Sequence, residues 1–299
     1  MRVLLRVRMK LQDNHARLLE YVRIGVTDRC NLRCQYCMPA EGLSWIPSSH
    51  LPTLKDYARL FQLFQQWEIK KIRFTGGEPL IRKDFMEIVS LAKQAQIPEM
   101  ALTTNGVLVL PYLESLKENG IQKINFSLDT LSPSRFLKIT RRDHFDDVIK
   151  AINGALELEY HVSVNAVLLS DTEEKEIHEF MDWALKKNLH LRFIEEMPFN
   201  GQGIPPDWHW NWRRVESCIL KHLPEAKMAL KTPGSTADHY HIPSSQGSIG
   251  IIAAFSRTFC GTCNRLRLTP EGHLHHCLYS DQSYPLIEKI RSNLSDESI

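Results

Sequence analysis

No apolar run in this 299-residue chain approaches the ~18 residues that a membrane-spanning helix needs. An excess of one charge is missing too. Lys plus Arg number 37 against 35 Asp plus Glu, so a net charge of +2 gives no reason to expect nucleic acid or an anionic membrane as a partner. Any anion binding has to be local. Internal repeats and low-complexity tracts are absent, and the apolar run of the N-terminal "MRVLLRVRMK" is broken by Arg6 and Arg8 with no small-residue cleavage site behind it, which argues against a secretory signal. Met9-Lys10 reads as a natural start, with the residues before it an extension. Without secretion the 7 cysteines are expected as reduced thiols in a cytoplasmic protein, which redirects them from disulfides to metal or catalytic chemistry.

What is present, 43% hydrophobic and 24% charged residues, can bury a large core. Short β-branched runs at 21–27, 71–76, 100–106, 123–129, 161–169 and 190–196 alternate with helix-like stretches at 53–67, 84–96, 145–158 and 174–188. Strands followed by helices predict an α/β fold with a parallel sheet and right-handed crossovers. Polar residues gather at the strand ends: Thr27-Asp28, Thr75-Gly76-Gly77-Glu78, Thr104-Asn105-Gly106, Ser127-Leu128-Asp129 and Glu195-Glu196. In a β/α barrel that is the active-site rim, and six strands predict a partial, open, TIM-like barrel, although a doubly wound open sheet would also place ligands at strand C-termini. We expect an N-terminal extension over 1–20, the barrel over 21–200 and a distinct C-terminal region over 201–299. In that last region 208–223 reads as a helix whose tryptophans serve packing, and Cys218 on it as a buried small hydrophobe.

The other cysteines form two triads. "DRCNLRCQYCMPAEG" (28–42) places Cys30, Cys34 and Cys37 at C-x3-C-x2-C spacing. A structural zinc ion would need a fourth ligand, for which Asp28, Glu41 and His50 are weak candidates; three thiolates are better explained by a [4Fe-4S] cluster with one iron left open. The second triad, Cys260, Cys263 and Cys277, has C-x2-C-x13-C spacing and admits a zinc ribbon completed by His273, His275 or His276.

The first triad, with Gly76-Gly77-Glu78-Pro79 at the end of the next strand, resembles the radical S-adenosylmethionine (radical SAM) enzymes. That resemblance implies that SAM occupies the open iron and, on receiving an electron, yields a 5′-deoxyadenosyl radical, the protein supplying position. It places Tyr36 near the adenine, Gly76, Gly77 and Glu78 near the methionine amino group, and Thr104, Ser127 and Met197 around SAM. "FCGTCNRLRL" and Cys277 narrow the likeness to the MoaA family of GTP 3′,8-cyclases, from about residue 21 to the end, through "VTDRCNLRCQYCMP", "KKIRFTGGEPL", "LTTNG", "SLDTL" and "RFIEEMP". The family implies two [4Fe-4S] clusters, the second binding guanine.

For the triphosphate the resemblance offers Arg23, Lys71, Arg73, Thr75, Arg192, Arg265 and Arg267, of which Arg265 and Arg267 could also act in the chemistry. Period-two spacing turns Lys71 and Arg73 to one face, and a cation inside a barrel demands a partner. The bland alternative is a set of ion pairs to Asp28, Glu78 and Glu195. We expect the triphosphate anchors at one end of the barrel and the second triad at the other. Two departures from the family are visible: Ser163 stands where a lysine is usual, and the sequence ends at "IRSNLSDESI" where family members continue to a Gly-Gly pair, which predicts weak turnover.

The expected activity is conversion of GTP to (8S)-3′,8-cyclo-7,8-dihydroguanosine 5′-triphosphate, the first step of molybdenum cofactor synthesis. It calls for a low-potential electron donor and for cyclic pyranopterin monophosphate synthase downstream, and leaves homodimerisation open. The rivals are a non-catalytic or divergent two-cluster paralogue, and a radical SAM enzyme acting on a peptide or another small molecule.

Overall fold

A computed structural model of the chain describes residues 10–197, 209–231, 234–256, 261, 263–278, 280–292, 294–296 and 298–299. Strands β1 (Tyr21–Gly25), β2 (Lys71–Thr75), β3 (Glu99–Thr104), β4 (Ile121–Ser127), β5 (His161–Leu168) and β6 (His190–Glu195) pair in chain order, all parallel. They are crossed over by α1 (Leu54–Gln66), α2 (Phe85–Gln94), α3 (Leu113–Glu118), α4 (Pro133–Thr140), α5 (Phe145–Glu157) and α6 (Glu174–Lys186). Helix α1 shows the local logic. Thr53 and Asp56 close a capping box at its start, while Tyr57, Leu60, Phe61 and Phe64 recur at three- and four-residue intervals and bury one face against the sheet. Short α3 and α4 were not separated by the sequence pattern, because neither is long enough to show a helical period.

The C-terminal region does not stand apart. It contributes α7 (Trp212–His222), β7 (Lys227–Met228), β8 (Asp238–His241), β9 (Ser248–Ile252), β10 (Arg265–Leu268), β11 (Leu274–His275) and α8 (Leu286–Arg291). Strand β9 adds parallel to β6 and β10 adds parallel to β1, so one sheet runs β11-β10-β1-β2-β3-β4-β5-β6-β9-β8-β7. The expected six-stranded open barrel is therefore β1–β6, widened on both flanks by parallel strands from the end of the chain and edged by antiparallel β7, β8 and β11. Trp210 is buried and donates its Nε1–H to the Thr172 carbonyl at 3.0 Å, and Cys218 is buried, both in the packing roles expected of them. Trp208 and the boundary placed after residue 200 lie outside the described residues.

Candidate functional site

Because the strands are parallel, all their C-terminal ends open at one mouth of the barrel and all their N-terminal ends at the other. Cys30, Cys34 and Cys37 lie in the loop that follows β1, at the C-terminal mouth. The loop is knitted to the segment following β2: Gly77 N–H donates to the Thr27 carbonyl at 2.8 Å, and Glu78 N–H to that of Arg29 at 2.7 Å. A Cβ on Gly76 would lie 2.4 Å from the Thr27 carbonyl oxygen, and one on Gly77 2.1 Å from that of Arg29. Glycine is required at both because two backbones touch there. Glu78 is fully buried, accepting from Asn105 N–H at 2.7 Å, the Thr104 hydroxyl at 2.9 Å and Leu80 N–H at 3.3 Å. Burial outweighs these bonds and pushes its carboxyl up to about 7. Asn105 also reaches the Cys30 Sγ, at 3.7 Å. Tyr36 gives its hydroxyl to Asp129 at 2.7 Å, and Asp129 accepts from Val167 N–H at 2.8 Å.

The chemistry of the donor set decides what this loop can hold. Burial, then Asp129 and the neighbouring thiols, push Cys37 up to about 11 and Cys34 higher still; burial and Glu78 raise Cys30. Three thiols in such surroundings ionise together only when a cationic centre binds them. A single tetrahedral zinc would gather sulfurs to within roughly 4 Å of one another. Among the described residues only Glu174, His178 and Cys218 bring three ligand atoms within 4.8 Å, so the three sulfurs are not gathered as a single zinc ion would hold them. Asp28 is engaged by Ile46 N–H at 2.6 Å, and Glu41 and His50 point to solvent. The triad fits an iron–sulfur cluster.

At the N-terminal mouth a cavity of about 420 Å³ is lined by Tyr21, Arg23, Lys71, Arg73, Arg192 and Arg265, with Asn125, Asn165 and Asn264. Tyr21 is its hub. Arg73 donates Nε–H to the Tyr21 hydroxyl at 2.8 Å, Lys71 sits 5.2 Å and Arg265 5.4 Å from the ring centroid. Burial would raise the phenol, but Arg73, Arg23 and Arg265 overcome it and bring Tyr21 down to about 7. Among the described residues no carboxylate pairs with Arg23, Arg73, Arg192 or Arg265; Lys71 alone is paired, with Glu99. Arg23 Nε, Arg265 Nε and both Nε and Nη2 of Arg192 are buried without a hydrogen-bond partner. Burial and mutual repulsion lower Arg192 to about 9 and Arg265 and Arg267 to about 10. Such a cluster is waiting for a polyanion.

Among the described residues the ion-pair alternative finds no pairs: Glu78 is held as described, and Asp28, with Oδ2 on Ile46 N–H and Oδ1 buried without a partner, meets none of the arginines. Glu195 accepts from Trp212 N–H at 2.6 Å, Ser256 N–H at 2.9 Å and Phe255 N–H at 3.0 Å. Five expected cations converge on the cavity. Arg267 sits two residues further along β10, opposite Arg23, and Thr75 lies at the opposite end of β2, opposite Gly25 and beside the cysteine loop. Thr104, Ser127 and Met197 stand at or just past the ends of β3, β4 and β6, on the cysteine side.

One expectation is corrected. The second triad and the basic residues do not occupy opposite ends. Because β10 runs parallel to β1, Cys263 enters at the N-terminal mouth two residues before Arg265, and the antiparallel return of β11 brings Cys277 back toward it. Cys260 lies outside the described residues. His273 and His275 are engaged with Ser283 and with the Ser280 carbonyl, each at 3.3 Å. The reading of the sequence missed Tyr21, Asn125 and Asn165; polar side chains at inward strand positions were the available signal.

Comparison with known proteins gives the family. The model of the Radical SAM superfamily matches residues 24–184, and that of Molybdenum Cofactor Synthesis C matches residues 189–299. The "GTP 3′,8-cyclase" of Desulforamulus reducens is 42% identical over 301 residues, covering 96% of this chain and 90% of the relative. "Molybdenum cofactor biosynthesis protein 1" of Drosophila melanogaster is 38% identical over 296 residues, covering 99% of this chain but 52% of the relative, so the chain spans about half the length of that protein. Among solved structures, Streptococcus suis SuiB bound to S-adenosylmethionine superposes with a TM-score of 0.69 at 16% identity, over 92% of this chain and 65% of that one. Methylornithine synthase gives 0.55 at 15% identity, over 68% and 61%. These two share the fold.

Proposed function

The chain belongs to the GTP 3′,8-cyclase family of the radical SAM superfamily, and from that premise we propose that it converts GTP to (8S)-3′,8-cyclo-7,8-dihydroguanosine 5′-triphosphate, opening molybdenum cofactor biosynthesis. The family implies S-adenosylmethionine and a [4Fe-4S] cluster. The observation that carries the substrate is the set of arginines that, among the described residues, have no carboxylate partner, several with buried unpartnered nitrogens, at one mouth of a barrel whose other mouth carries the cysteine loop.

Cys30, Cys34 and Cys37 hold the first cluster, with Tyr36, Gly76, Gly77, Glu78, Thr104, Ser127 and Met197 around SAM. When bound, cluster and SAM would supply radical chemistry for hydrogen abstraction at the ribose, and these residues would hold them in place. Cys260, Cys263 and Cys277 hold the second cluster, at the substrate end. Arg23, Lys71, Arg73, Arg192, Arg265 and Arg267 take the triphosphate, and Arg73 is aimed for it by Tyr21 and by the Leu102 carbonyl at 3.3 Å. With base and phosphates both held at the N-terminal mouth, the ribose is the part of the nucleotide left to face the opposite mouth. Fixing it there is the protein's share of the rate. Catalysis draws on a low-potential electron donor in the cytoplasm and feeds cyclic pyranopterin monophosphate synthase.

Anaerobic purification with metal counting, followed by incubation with GTP, SAM and a strong reductant, tests this. About eight irons per chain and formation of the cyclic nucleotide are expected. Zinc at the second triad, or SAM cleavage that GTP does not turn into cyclic product, would overturn it.

A further inference from the structure

Beyond Arg192 the arginine cavity continues into a second one of about 290 Å³, whose walls are histidine. His161, His190, His239 and His241 line it, with Ser163, Arg192, Lys231, Asp238 and Ser248; Arg192 and His239 line both cavities. The histidines come from three strands: His161 begins β5, His190 begins β6, and His239 and His241 lie on β8. His161 and His190 stack with ring centroids 4.5 Å apart, and Ser248 links His190 Nδ1 at 2.9 Å to His239 Nδ1 at 3.5 Å. Two small residues make the room. Ser163, opposite His190 in the β5–β6 register, leaves the floor open, and a Cβ on Gly250 would come within 3.0 Å of Arg192 Cγ and 3.1 Å of His239 Nδ1.

We propose that this histidine cavity takes the terminal phosphate of the bound triphosphate, and that His190 and His239 pick up protons from solvent as it enters. The inference rests on the GTP reading above. In the free site burial and neighbouring cations outweigh the two acids, Glu99 beside His161 and Asp238 beside His239, that favour charged imidazole. His161 faces Lys123, Arg192 and Lys71, with Glu99 the one nearby acid, itself held by Lys71 and Lys123. His190 faces His161, His239, Arg192 and His241. His239 faces Arg192, His241 and Asp238, the last held by Lys231 at 3.0 Å. Burial and these neighbours bring His190 and His239 to about 4, so both are neutral at pH 7 in the empty protein. A phosphate dianion reverses the balance, because it adds two negative charges to a cavity where cations and burial outweigh Asp238. The unpartnered Nε and Nη2 of Arg192, between the two cavities, point to the same ligand. Each histidine whose folded pKa rises on binding strengthens the complex at low pH, and that gain is lost as pH climbs through the bound-state value.

The test is calorimetry of the anaerobically prepared holoprotein at pH 7.5 in two buffers of different ionisation heat, with GTP, GMP and inorganic tripolyphosphate as probes. GTP and tripolyphosphate are expected to bind with uptake of about one proton and GMP with none, and GTP affinity should fall about thirtyfold from pH 6.5 to 8. His190→Gln and His239→Gln should each reduce the uptake and flatten the pH slope while leaving GMP affinity unchanged. GTP binding without proton uptake in the unaltered protein overturns the inference and leaves the GTP reading standing. Tripolyphosphate binding with uptake, alongside no GTP binding at any pH, does the reverse.

Discussion

The two mouths of the barrel are built from the same strands and carry opposite demands. At the C-terminal mouth Cys30, Cys34 and Cys37 sit with Asp129 and Glu78, and burial drives thiols and carboxylates alike toward their neutral forms. At the N-terminal mouth Arg23, Arg192 and Arg265 crowd together with buried, unpartnered nitrogens. One mouth is short of positive charge and the other of negative charge. Parallel strands separate the two by their own length, so a cationic centre and a polyanion can be held in one barrel without either site neutralising the other.

The heaviest blow to this division is loss of a thiol. Cys30→Ala, Cys34→Ala or Cys37→Ala is expected to abolish reductive cleavage of SAM, measured as 5′-deoxyadenosine, while GTP binding at the other mouth survives. Equal damage to both would show that the mouths are not independent. Next comes the opposite mouth. Arg192→Ala should weaken GTP by about 10- to 100-fold, the worth of a charge-assisted hydrogen bond, and leave SAM affinity unchanged. Equilibrium dialysis with each ligand separates the outcomes.

A smaller effect sharpens the account of the cysteine loop. Gly77→Ala puts a methyl group 2.1 Å from the Arg29 carbonyl oxygen, so the loop must shift. Iron content should fall, with SAM binding weaker by about tenfold, of the order expected for a disturbed backbone contact. Undiminished iron would mean that the two backbones are free to separate. The smallest effect is a matter of pH. Tyr21 titrates near 7 in the folded protein against 10 as its ordinary value, so it adds stability as pH rises between the two and loses it as pH falls through 7. Thermal unfolding of Tyr21→Phe against the unaltered protein from pH 6 to 9 should show that rise in the latter alone.

How much of this could be read in advance differs between the two mouths. The cysteine mouth was legible because its residues are near neighbours in sequence, and strands β1–β6 were legible because each is long enough to show its period. The basic mouth was read in its residues but not in its assembly. Arg265-Leu266-Arg267-Leu268 is a four-residue strand whose partner, β1, lies near the other end of the chain, and no local pattern states that pairing. That is why the second triad was placed at the wrong end. Thr75 was misread for a related reason: it shares β2 with Lys71 and Arg73, but strand rise carries it to the other mouth. The histidines of β5, β6 and β8 meet only through the β6–β9–β8 pairing.

The β1–β10 pairing also sets an order of assembly. During synthesis the open edge of β1 has no partner until residues 265–268 have left the ribosome, whereas the cysteine loop and the glycine segment that clasps it are complete once β2 and its following turn have emerged. Contacts between distant parts of a chain form late because loop closure must come first. The three thiols can therefore be in place while the chain still lacks the β10 wall of its arginine cavity.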